Sequence, residues 1–198
     1  MPLVFFDRAC ENYQAPKVIT NDYECGRIAA QHLIEKGSKH PAFLSASASL
    51  SICNKRSAGF MEVLTEAGLN LADCQYLIDC NRSDNEITRQ LQNLLQEHSQ
   101  IDSIVASVEK IAIYTYLAAL TQNLRIPQYL KVIAFSTLET ASILNPSLTT
   151  ISQPAFEIGK QAASILFDLI DKKRTAVHNE FILTLPSVLI ERVSTSSN

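Results

Sequence analysis

The chain has 198 residues, 46% of them apolar and 19% charged, with a formal net charge of −3. This composition excludes a disordered chain and leaves ample length for a buried core. The charge gives no electrostatic ground for direct nucleic-acid binding, and no apolar run approaches membrane-spanning length. Five cysteines (Cys10, Cys25, Cys53, Cys74 and Cys80) show no CxxC spacing. With no basic leader at Met1-Pro2-Leu3-Val4, they read as reduced cytoplasmic thiols. His32, His40, His98 and His178 lie far apart, so neither a metal site nor a cofactor is expected.

In chain order, Leu3–Phe6 reads as a buried strand closed by Asp7-Arg8, and Lys17–Thr20 as a second β-branched piece. Asn21-Asp22 can cap a helix over about 23–36, with Ile28, Leu33 and Ile34 inward and Gly37 as its stop. Ala42–Leu44 is a strand, and the small-residue loop 45–49 leads to a helix over about 53–67. That helix buries Phe60, Val63 and Leu64 and ends at Gly68. Tyr76–Ile78 is a strand, and Asp84 can cap a helix carrying Ile87, Leu91, Leu94 and Leu95. Ile104–Ala106 and Lys131–Phe135 are strands flanking a helix over 111–121. Pro146 and Pro154 bracket an extended run, followed by a helix from Ala155 to about Lys173 and two closing strands. Strands alternating with helices of this length predict a parallel α/β sheet.

Ligands of such sheets bind beyond the carboxyl ends of the strands. That nominates the loops 45–51, 80–84, 107–110 and 136–139, with Arg56, Arg82, Glu109 and Lys110 as their notable charges. Each of these can also be a solvated loop charge. No GxGxxG, phosphate loop, GxSxG or anchored Ser/His/Asp arrangement occurs, so no catalytic residue is nominated.

Several segments in register, VFFDR, VITNDYECGRIAAQHLIEKG, KRSAGFMEVLTEAGL, IPQYLKVIAF and NPSLTTISQPAFEIGKQAASIL, together resemble the lactose/galactose-repressor family of bacterial transcription regulators. The resemblance implies an α/β, parallel-sheet subdomain of the periplasmic-binding-protein-like type I, with an incomplete second α/β subdomain. Residues 1–22 and 152–180 would form the partial amino subdomain, and 23–151 with 181–198 the carboxyl subdomain. It further implies a cytoplasmic homodimer that senses a small polar effector (a sugar, nucleobase or organic acid) in the cleft between subdomains. The family's helix-turn-helix would lie ahead of Met1, so operator DNA is expected as a partner only through that missing head.

Carried over by motif, Arg56 sits where the family places an arginine that reaches the effector, within reach of the 45–51 loop and Ser136. Asp7, Ser47, Asn81, Glu109 and Ser136 complete the implied effector site. Asn81 stands where members often put an aromatic ring, Ser136 where an acidic acceptor is usual, and Val108-Glu109 replaces a common Asn-Asp. Ile113, Tyr114, Leu117 and Leu144 are the implied dimer contacts, because the 111–121 helix carries more apolar surface than one buried face requires. A solute-binding protein for transport, with a similar fold, is the alternative; the absent signal sequence and the unpaired cysteines count against it.

Overall fold

A computed structural model describes residues 2–9, 13–72, 74–137, 139–171 and 181–196. In chain order the strands are β1 (Phe5–Phe6), β2 (Lys17–Thr20), β3 (Pro41–Ser45), β4 (Gln75–Leu77), β5 (Ser103–Ala106), β6 (Lys131–Phe135), β7 (Thr149–Ser152), β8 (Ile182–Leu185) and β9 (Val188–Ile190). The helices are α1 (Asp22–Glu35), α2 (Ser51–Glu66), α3 (Asp84–Glu97), α4 (Glu109–Thr121) and α5 (Ala155–Ile170). The chain divides into a smaller unit, Met1–Asn21 with Gln153–Ser187, and a larger one, Asp22–Ser152 with Val188–Asn198.

The larger unit is a six-stranded sheet in the order β4-β3-β5-β6-β7-β9, parallel except for β9 against β7. Side chains alternate across it. Ala42, Leu44, Ile104, Ala106, Val132 and Ala134 pack with α3 and α4, whereas Phe43, Val105, Ile133, Phe135 and Ile151 pack with α1 and α2. Burial on both faces is why these strands read as continuous apolar runs rather than alternating ones. Gly37 and Gly68, both at positive φ, follow α1 and α2 as anticipated. The cap of α3 is Ser83 rather than Asp84: Glu86 accepts from the Ser83 N–H at 3.2 Å and from its hydroxyl at 2.6 Å, closing a capping box.

The inward face of α1 also departs from expectation. Leu33 is buried, but Ile28 and Ile34 are only half-buried, and the packed surface is Cys25, Gly26, Ala29 and Ala30. Small residues face inward because α2 comes too close for larger ones. A Cβ on Gly26 would lie 1.9 Å from the Arg56 carbonyl oxygen, and one on Gly59 2.0 Å from that of Tyr23.

The last described residues tie the sheet together. The Ser194 hydroxyl donates to Val132 O at 2.6 Å and accepts from the Thr149 N–H at 2.8 Å. Arg192 Nη1 donates to Leu148 O at 2.7 Å and to the Thr150 hydroxyl at 2.8 Å.

The smaller unit is a parallel sheet in the order β1-β2-β8, with α5 laying Ile158, Ala162 and Ile165 against Val18. Here the boundary drawn from sequence moves. Residues 181–187, placed above with the carboxyl subdomain, belong to the smaller unit because Ile182–Leu185 pairs along the whole of β2. Lys173, the expected end of the last helix, and His178 lie outside the described residues.

Candidate functional site

Strands β3, β5, β6 and β7 run parallel, so their carboxyl ends share one edge of the larger unit's sheet. Arg56, in the second turn of α2, reaches this edge and is only 2% exposed. Its Nε donates to Asp22 Oδ1 at 2.7 Å and its Nη1 to Ser107 O at 2.9 Å. The guanidinium carbon stands 4.0 Å from the Phe135 ring centroid. The partners come from three elements: Asp22 opens α1, Ser107 follows β5, and Phe135 ends β6. The close Gly26/Gly59 crossing, one turn further along both helices, brings Asp22 and Arg56 within salt-bridge distance.

One donor of this arginine is left over. Arg56 Nη2 is buried with no hydrogen-bond partner. An unsatisfied buried donor costs roughly 1–3 kcal/mol, so an acceptor that fits beside it gains that much. Because Asp22 already balances the charge, a hydroxyl or carbonyl oxygen suffices as that acceptor.

The remaining nominated residues are distributed unevenly. Ser107, fully buried, accepts from the Ala46 N–H through its hydroxyl at 2.9 Å, which ties the serine loop to the end of β5. Ser47 is half-buried, with its hydroxyl 3.0 Å from that of Ser49. Ser136 is buried next to Phe135, its N–H donating to Ile151 O at 3.2 Å. Glu109 is half-buried at the start of α4. Arg56 makes its hydrogen bonds to Asp22 and Ser107, not to the loop serines or Ser136. Asn81 is exposed, its N–H donating to Asp79 Oδ1 at 3.1 Å. Asp7 belongs to the smaller unit, half-buried at positive φ after β1, with its N–H on Val18 O at 3.0 Å.

Sequence reading missed Asp22 and Phe135, and it nominated Ser107 only as part of the 107–110 loop. Asp22 stands where a helix cap is expected, and nothing local marks it as the partner of an arginine 34 positions away. Lys110, noted only as a loop charge, donates from Nζ to Cys80 O at 2.9 Å. Burial pushes the Cys80 thiol up, with Lys110 opposing. Among the described residues no group of three His, Cys, Asp or Glu side chains could hold a metal ion.

On the outer side of α4, Ile113 and Leu117 are exposed, and Ile143 is 79% exposed. Tyr114 and Leu144 are half-buried and pack against the core beneath. None of the helices described is long and apolar enough to cross a membrane.

The larger unit is thus a two-sided, mainly parallel α/β sheet with a buried arginine at its carboxyl edge. Residues 30–195 match the periplasmic binding protein-like domain, and the chain belongs to that family. Its curated relatives include the ribose operon repressor of Bacillus subtilis, 29% identical over 98% of this chain and 57% of the relative. Another is the HTH-type transcriptional repressor PurR of Erwinia tasmaniensis, 30% identical over 89% of this chain and 51% of the relative. The chain thus spans a little over half the length of these repressors. Among solved structures, a LacI family transcriptional regulator from Enterococcus faecalis with bound ribose superposes with a TM-score of 0.84. It shares 26% identity, over 100% of this chain and 69% of the other. A transcription regulator from Staphylococcus saprophyticus gives a TM-score of 0.87 at 25% identity, over 100% and 72%. The resemblance read from sequence, to the effector-binding region of lactose/galactose-repressor-type regulators, is therefore correct.

Proposed function

We propose that this chain is the effector-sensing and dimerising region of a cytoplasmic transcription regulator. The observation that carries the reading is the buried, unpartnered Nη2 of Arg56 at the carboxyl edge of the sheet. The effector is a small polar molecule offering a neutral acceptor to that donor, a sugar or a nucleobase before an organic acid, because Asp22 already neutralises the guanidinium. The names of its relatives and the ribose bound in one of them support this direction. Ser47, Glu109 and Ser136 supply further donors and acceptors along the same edge, with Asn81 as a contributor under the family resemblance. The effector acts by population shift: it favours whichever conformation binds it better, by no more than its differential affinity. Operator DNA is then a partner of the whole regulator, and the exposed side of α4 with Ile113, Tyr114, Leu117 and Leu144 forms the contact of a homodimer.

A thermal-shift screen of pentoses, hexoses, purines and small acids tests this, with calorimetry on each hit. Arg56→Lys keeps the charge opposite Asp22 but replaces the guanidinium fork with a single ammonium. It should weaken the true effector by about 1.5–3 kcal/mol while the protein stays folded. A hit whose affinity ignores Arg56→Lys, or a screen in which only anions bind, overturns the reading.

A further inference from the structure

A cavity of about 540 Å³ opens in the larger unit, lined by the last turns of α4, the 122–130 loop and the 145–146 turn. Helix α4 starts at the carboxyl end of β5 and returns toward the amino end of β6, so this cavity lies at the opposite edge of the sheet from Arg56. One wall is apolar: Tyr116, Leu120, Leu124, Ile126 and Pro146. The Tyr116 hydroxyl donates to Pro146 O at 2.9 Å, and burial pushes its phenol up to about 12, so that wall stays uncharged. Leu120, 73% exposed, adds accessible apolar surface to that wall.

The other side carries one cation. Arg125 is held on its flank by Tyr129, with its guanidinium carbon 5.0 Å from the ring centroid and Nη2 donating to the phenol oxygen at 3.2 Å. Among the described residues no carboxylate pairs with Arg125, unlike Arg27, Arg56 and Arg82. An exposed guanidinium flanked by Tyr129, beside an apolar wall, matches a ligand with the complementary halves. We propose that this cavity is a second ligand site, taking a small amphipathic carboxylate whose ring or short chain lies on Tyr116, Leu120 and Leu124 and whose carboxylate is gripped by Arg125. The pairing is charge-assisted and can be bidentate, and the apolar contact removes Leu120 from water. This site is independent of the effector reading, since it shares no residue with the Arg56 edge.

Phenylacetate is a suitable probe, with phenylacetamide as its neutral counterpart, both titrated into the 198-residue chain by calorimetry and by amide chemical-shift mapping. Phenylacetate should bind saturably at millimolar concentration, with shifts centred on Leu120 and Leu124, and phenylacetamide should bind more weakly. Arg125→Gln, at an exposed position, should cost phenylacetate about ten-fold or more in affinity and leave phenylacetamide unchanged. Leu120→Asp, which sets a like charge against the ligand, should abolish binding. No saturable binding of phenylacetate overturns the proposal, as does an affinity indifferent to Arg125→Gln. Shifts centred on Ser107 and Phe135 also overturn it, because they place the probe at the other edge.

Discussion

Arg56 and Asp22 form a buried ion pair, 2% and 4% exposed, whose stability contribution depends on both partners remaining. Removing one leaves an uncompensated charge in a low-dielectric interior, whereas removing both leaves only lost packing. Arg56→Ala and Asp22→Ala should each lower the unfolding free energy by about 3–5 kcal/mol, and the double variant by clearly less than their sum. Urea unfolding of the three variants measures this. Additive losses would show that the pair is not coupled. For the same reason Arg56→Ala is a poor probe of effector binding, and the lysine variant is the better one.

At the scale of elements, the crossing of α1 and α2 positions the site. It depends on two glycines whose missing Cβ atoms leave room for backbone contact. Gly59→Ala must push the helices apart, costing about 1–3 kcal/mol or more by overpacking. It should also loosen the Asp22–Arg56 contact and so weaken any ligand at Arg56. Gly159, in the second turn of α5, has open space where a Cβ would go. Gly159→Ala should therefore stabilise by about 0.5–1 kcal/mol through the helix backbone alone. Thermal melts of the two variants should move in opposite directions; parallel shifts would discredit the packing argument.

For the whole molecule, two measurements matter. The first is association. With Leu117 43% exposed and Ile143 more so, a symmetric contact across α4 would remove both from water. Sedimentation should give twice the chain mass, and Leu117→Asp should return it to the single chain; a wild-type monomer at high micromolar concentration rules the contact out. The second is pH. His32 is buried against Thr195, its Nε2 2.8 Å from the hydroxyl. Burial pushes the imidazole below its ordinary value; Glu191 and Glu35 oppose this and Lys36 adds to it. A histidine with a depressed folded pKa favours folding while neutral, so its contribution is full above about pH 6.5 and is lost as pH falls. The urea midpoint should drop between pH 7.5 and 5.5, and His32→Gln should flatten that step. A step that survives the substitution must come from other groups.

Much of this architecture was legible in the sequence because it rests on local rules. Gly37 and Gly68 stop helices through positive φ, and Ile87, Leu91, Leu94 and Leu95 share one face at helical spacing. The buried parallel strands 103–106 and 131–135 are simply runs of apolar residues bounded by polar ones. Arg56 was legible too, as a charge near the strand ends and, under the family resemblance, as an arginine that reaches an effector. Its role was decided by contacts that no local pattern encodes. Asp22 lies 34 residues before it and Ser107 51 after, and they meet only because two helices cross at glycines while β5 ends beside them. Likewise, the pairing of residues 182–185 with β2 spans most of the chain, and the local sequence of that strand fits either sheet. Periodicity and turn chemistry act over a few residues, so sequence alone determines elements and their faces. The unsatisfied donor and the cavity under Arg125 exist only once distant segments have packed, and tertiary structure alone decides them.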